Sequence, residues 1–330
     1  MPRRLLTIAA ATIVAMATFV PPASAALTTL KVFVTDTNGS LGVITPGGGT
    51  ALLDDHLNGI PVDLTANPNG NVLYYVDTVG DGIGAVDTHT YADLGYVRVC
   101  DRPQSAALDA ARSRLYVSCN GSNGGVDSSV VVVDVSDPTR PTVAAKIPFA
   151  SWPTRMAVDP ALGLLLVDVG NAVDEVSTAT NTIVGAVAVA PGSLSVSTGS
   201  PVFYDAVGNE VYATDLTDGE VFQAVYVPQG ATSSALCANN DTMWVSGGGG
   251  TSQVNLDTGA ITRTYPTSGG DLALSADCAT LYEVSGRSVV SIATATGATT
   301  SIPAPTNGIT AMAVAAVPYV LRPFPPLSVR

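Results

Sequence analysis

Leu73-Tyr74-Tyr75-Val76-Asp77 is the stretch whose reading decides the fold. Asn-Pro-Asn-Gly-Asn (67–71) precedes it and a Gly-rich turn follows. Aromatic and β-branched residues between turn-formers read as a short strand. Versions of the stretch return downstream: Leu115-Tyr116-Val117-Ser118, Leu165-Leu166-Val167-Asp168, Val202-Phe203-Tyr204-Asp205, Met243-Trp244-Val245-Ser246 and Leu281-Tyr282-Glu283-Val284. An upstream copy is Val32-Phe33-Val34-Thr35-Asp36.

A period of about 40 residues, each rich in short strands, is the pattern of a β-propeller. Each unit parses as strand a, the Tyr-Val strand b, a hairpin to strand c, and a polar turn to strand d. In the fifth unit the parse gives b at Val202–Asp205, c at Glu210–Leu216 and d at Glu220–Val227. The first unit has no room for a strand a, and Ile309–Val314 is a strand a without a unit. Pairing the two closes a ring and removes exposed edges. The expectation is one all-β domain over 26–317. It is a seven-bladed propeller of four-stranded antiparallel blades, closed by the C-terminal strand. The Pro-rich tail, 318–330, cannot extend the sheet.

The repeat resembles the YVTN family of β-propeller repeats. Leu115-Tyr116-Val117-Ser118, Asp134-Val135-Ser136, Met156-Ala157-Val158-Asp159-Pro160 and the Leu73–Asp77 copy carry the likeness. It spans essentially all of the chain after residue 25. The resemblance implies a bacterial surface or secreted propeller, and similar propellers include lactonases and dehydrogenase subunits. Those motifs are structural, so activity stays open.

The first 25 residues read as an export signal. Arg3 and Arg4 form a basic start, Leu5–Val20 an apolar run, and Pro-Pro-Ala-Ser-Ala (21–25) a cleavage point. The expected protein is therefore secreted by bacterial-type export, with no membrane insertion after cleavage. The whole chain carries a net charge of −13, and removing both leader arginines leaves −15. That charge argues against nucleic acid and anionic membranes. It admits cations and small neutral ligands. The partner expected is a small molecule or protein at the channel face of a monomer. Cys100, Cys119, Cys237 and Cys278 lack zinc-type spacing and form an even set in an exported chain. The strand parse puts Cys100 beside Cys119, and Cys237 beside Cys278, which predicts two disulfides.

Asp36, Asp77, Asp168 and Asp205 fall at or near the ends of strand b, on the face where loops converge on the axis. Clustered carboxylates with carbonyls could hold a hard cation such as calcium. The alternative is that each Asp caps its own turn. His56 lies on the same face beside Asp55, and His89 stands in an outer turn. Arg102, Trp152 and Arg155 stand in d-to-a loops there. A Trp over a ring with an Arg on a carboxylate would form a recognition site. Two functions follow: a binding module working through one face, or a metal-assisted, lactonase-like or lyase-like enzyme at the channel mouth. Asp36, Asp77, Asp168, Asp205 and His56 are the enzyme's candidates. No G-x-S-x-G or P-loop sequence is present.

Overall fold

The computed structural model describes residues 28–318 apart from 54–55, 122–127, 191, 198–199 and 238–241. The expected leader, the tail beyond Pro318 and Asp55 lie outside the described residues. Blade one holds β1 (Thr28–Thr35), β2 (Leu41–Ile44) and β3 (Thr50–Leu53). Blade two holds β4 (Pro61–Ala66), β5 (Val72–Asp77), β6 (Gly82–Asp87) and β7 (Asp93–Arg98). Blade three holds β8 (Pro103–Asp109), β9 (Arg114–Cys119), β10 (Ser129–Asp134) and β11 (Thr142–Pro148). Blade four holds β12 (Met156–Asp159), β13 (Leu164–Asp168), β14 (Val173–Ser177) and β15 (Thr182–Val187). Blade five holds β16 (Ser193–Val196), β17 (Val202–Asp215) and β18 (Val221–Ala231). Blade six holds β19 (Ser233–Cys237), β20 (Thr242–Gly247), β21 (Gly250–Asn255) and β22 (Ala260–Tyr265). Blade seven holds β23 (Leu272–Leu274), β24 (Thr280–Ser285), β25 (Ser288–Ala293) and β26 (Thr299–Pro303). The last strand, β27 (Ala311–Pro318), belongs to blade one, whose order is β27-β1-β2-β3.

The expected closure is present, but the closing strand is Ala311–Pro318 rather than Ile309–Val314, and Pro318, which the sequence places in the tail, is its last paired residue. β1 pairs antiparallel with β27 from Thr28↔Pro318 to Thr35↔Ala311. Thr310 N–H continues the ladder to Thr35 O at 2.8 Å. Ala311, Ala313, Ala315 and Val317 alternate toward the core shared with blade two. The fit is tight: Gly70, at φ 68°, sits where a Cβ would strike the Ala316 carbonyl.

Blade five departs from the sequence parse. Strands b and c are one continuous element, β17. It turns through Gly208 at φ 61°, and its ends meet where Leu216 N–H donates to Pro201 O at 2.7 Å. The short run Val207-Gly208-Asn209 makes this hairpin too tight to interrupt the ladder. Its outer strand, β18, runs to Ala231 rather than ending at Val227.

Burial explains why strands b and c read as apolar runs. β5 is buried at every position and β10 at all but its last, whereas outer strand β11 is mostly exposed. Each of the seven seams between blades holds its own apolar cluster. Leu73 and Phe33 are both 0% exposed in the first of these, where burial of each such side chain contributes about 2 kcal/mol. Both predicted disulfides form. Cys100–Cys119 joins blades two and three, and Cys237–Cys278 joins blades six and seven.

A chain ending at Thr310 lacks β27 and leaves the β1 edge bare. It is expected to lose its cooperative melt by circular dichroism and to aggregate in size exclusion. A soluble, normally melting truncation would refute closure as the stabilising contact. Replacing Cys237 and Cys278 together by Ala is expected to lower stability by about 3 kcal/mol in urea titration.

Candidate functional site

The inner strands β27, β4, β8, β12, β16, β19 and β23 surround an axial channel of about 600 Å³. Each starts at the same level. Asp63 pairs with Val76, Ser105 with Ser118, Ser193 with Ala206 and Ser233 with Ser246. Arg155 O accepts Asp168 N–H and Asp271 O accepts Val284 N–H, which puts Arg155 and Asp271 at that level too. Asp63, Arg155 and Asp271 line the channel with Gln104, Asn120, Ser193 and Ser233.

Three of these side chains bridge blades. Asp63 accepts from Ala106 N–H at 2.8 Å, Ser193 from Ser234 N–H at 3.1 Å, and Ser233 from Leu272 N–H at 3.1 Å. Burial pushes the Asp63 carboxyl up to about 6, against the N–H groups of Ala106 and Leu64 and the Ser105 hydroxyl, with the Asp271 charge adding to the rise. Asp63 is only half-buried because its surroundings open onto the channel, deep inside the ring.

The four candidate carboxylates occupy three different levels. Asp36 Oδ1 accepts from Asn38 and Ser40 N–H, and Oδ2 from Asn307 N–H. Asp77 Oδ1 accepts from Ile60, Val79 and Gly80 N–H, and Oδ2 from the Tyr96 hydroxyl at 3.0 Å. Both turn into their own loops. Asp168 stands one level lower, opposite Arg155, and takes Gly170 N–H and the Thr154 hydroxyl. Asp205 stands lower again, inside the strand, opposite Leu194. The structure therefore brings together Asp168 and Asp205 and leaves Asp36 and Asp77 apart. Among the described residues no group of three or more His, Cys, Asp or Glu is placed to hold a metal.

Asp205 is 0% exposed, and neither carboxylate oxygen has a hydrogen-bond partner. Burial and the Asp168 charge push its carboxyl up to about 7, against the pull of Arg155. Glu283 occupies the equivalent place in β24 of blade seven, one residue before Val284. It is fully satisfied by Gly269 N–H, Gly270 N–H and the Thr251 hydroxyl.

Of the recognition candidates only Arg155 lines the channel. Trp152 is half exposed on the same loop. Arg102 is exposed at φ 53°, with its N–H held by Asp81. His56 lies against the outer strand of blade two, its Nε2 3.9 Å from Asp93 Oδ1, away from the channel. The residues missed by sequence reading are Asp63, Gln104, Asn120, Ser193, Ser233 and Asp271. The usable signal was a polar residue at or just before the start of each strand a.

An all-β, seven-bladed propeller with a polar axial channel is the class these features define. No protein-family model and no curated protein matches the chain. Among solved structures it is similar to a functionally unknown protein from Desulfotomaculum acetoxidans. There the TM-score is 0.71 at 12% identity, over 87% of this chain and 99% of that one. It is also similar to apo AztD from Citrobacter koseri, with a TM-score of 0.62 at 11% identity over 87% and 98% of the two chains. Hydrazine synthase from Kuenenia stuttgartiensis gives a TM-score of 0.52 at 19% identity, over 71% and 76%. At these identities the likeness carries the fold alone.

Asp205 gives a signed pH prediction. Its folded carboxyl near 7 lies above the ordinary 3.8, so between those values the folded chain holds a proton that the unfolded chain has lost. Its contribution to stability therefore falls as pH rises from about 4 to about 7 and then levels off. Asp205→Asn is expected to melt like the parent near pH 4 and above it at pH 8, in EDTA. Glu283→Gln is expected to melt lower at both. Equal melting of Asp205→Asn and parent at pH 8 would refute the unsatisfied carboxylate.

Proposed function

We propose that this chain is an exported binding module that takes a small polar ligand at the mouth of its axial channel. The observation that carries the reading is the channel itself. Its volume of about 600 Å³ lies within the range of small-molecule sites. Its walls combine two carboxylates, Asp63 and Asp271, with one guanidinium, Arg155, and a set of hydroxyls and amides. Such a lining suits a ligand bearing amine and hydroxyl groups, with Arg155 free to meet a carboxylate on it. The two disulfides are consistent with an extracellular or periplasmic protein and support the export reading. Kinship with YVTN-type propellers fits the same picture, through the recurring strand b.

One observation favours chemistry instead: Asp168 and Asp205 are near each other, and the second holds a carboxyl near neutrality. That is the pattern of an acid–base pair, as the lactonase-like or lyase-like reading requires.

The test is a thermal-shift and calorimetric screen of the purified protein with amino sugars, polyamines, amino acids and neutral sugars. Asp271→Asn is expected to weaken amine-bearing hits by about tenfold or more, the worth of one charged contact. Arg155→Ala is expected to remove hits that carry a carboxylate. Absence of hits, or hits indifferent to both substitutions, would overturn the reading.

A further inference from the structure

At the channel mouth the seam between blades four and five differs from the seams two–three, five–six and six–seven. Where Asp63, Ser193 and Ser233 reach the next blade with an oxygen acceptor, blade four presents Arg155. A guanidinium has donors only, so it cannot receive the neighbouring N–H. A cleft of about 300 Å³ opens there, lined by Thr154, Arg155, Asp168 and Gly192.

Two carboxylates face each other across this seam. Asp168 lies two residues beyond Leu166, on the side of β13 that packs toward blade five. Asp205 lies two residues beyond Phe203, on the side of β17 that packs toward blade four. Asp168 accepts one hydrogen bond on each oxygen, from Gly170 N–H and the Thr154 hydroxyl. Asp205 is completely buried and accepts none. Its Oδ1 lies against Gly192, where a Cβ would run into both that oxygen and the Ala206 carbonyl. Gly192 therefore packs directly against these oxygens, where no side chain would fit. A buried carboxylate without a donor, opposite a second carboxylate, calls for a positive charge between them.

We propose that this seam is a binding site for a hard divalent cation, calcium foremost, held between the carboxylates of Asp168 and Asp205. The Thr154 hydroxyl and the Ala206 carbonyl are the neighbouring oxygens. An all-oxygen set without thiol or imidazole selects hard cations. Calcium tolerates an irregular shell completed by water, whereas magnesium demands an octahedron. Arg155 opposes the cation, and Tyr212, whose hydroxyl feels the Asp205 charge, is the other titratable group beside it. The cation would pin blade four to blade five beside the channel. This inference does not rest on the channel reading.

The experiment is calorimetry and thermal melting of the EDTA-treated protein with calcium chloride, and separately magnesium chloride, at pH 8. One calcium per chain is expected at pH 8, with a Kd of about 10⁻⁴–10⁻³ M, the range of extracellular modules. Asp205→Asn, whose fold is checked by its melt in EDTA, is expected to abolish the calcium response. Arg155→Ala is expected to tighten it by removing an opposing charge. No response of the parent protein at pH 8 overturns the proposal. A response kept in Asp205→Asn places the ion elsewhere and also overturns it. Weaker binding in Arg155→Ala overturns it as well, because Arg155 is then part of the site.

Discussion

Seven sheets that meet at an axis leave every inner strand with one backbone edge that no other strand can pair. Those N–H and C=O groups must find side chains or water, because an unpaired buried group is costly. Asp63, Ser193 and Ser233 show the local solution: a short side chain reaches sideways to an N–H of the next blade. The channel is polar for this structural reason before any ligand is considered. The same residues that tie blade to blade therefore form the wall a ligand would meet, and a rigid wall costs little ordering on binding.

The acidic composition has a similar local cause. Asp87, Asp159 and Asp215 accept backbone N–H groups of the turns that follow them. The hydroxyl and N–H of Ser136 hold the Asp134 carboxyl below its ordinary range, and those of Thr217 do the same for Asp215. Much of the acidic surface is thus set one carboxylate at a time at turn tips. Against that background a carboxylate with no donor is informative. Glu283 and Asp205 share a level in their blades, yet one receives two loop N–H groups and the other none. The aspartate has one methylene less of reach than the glutamate.

The repeat was legible because strands b and c are buried on both sides, which writes them as apolar runs. Ring closure was legible from a strand without a unit and a unit without a strand. The disulfides followed from which strand ends share a side. Register was not legible to a single residue. The four aspartates look equivalent in sequence, but strand ends vary by one or two positions, and the tight hairpin through Gly208 hid where β17 turns. Asp63 and Asp271 were hidden for another reason. Asp and Ser are common at every turn here, so nothing in their identity marks the ones that face the axis.

That loss of register is itself the origin of the paired acids. Side chains alternate sides along a strand, so a shift of one position sends a residue from one neighbour to the other. At the level of Asp77 a carboxylate reaches its own loop. Asp168, one level lower, is turned toward blade five, and Asp205, two levels lower, is turned back toward blade four. Two unequal shifts in adjacent blades direct both carboxylates into a single seam. Without the one-position shift in blade four, Asp168 would face blade three; without the two-position shift in blade five, Asp205 would keep its side but stand at the level where Asp77 finds its turn donors.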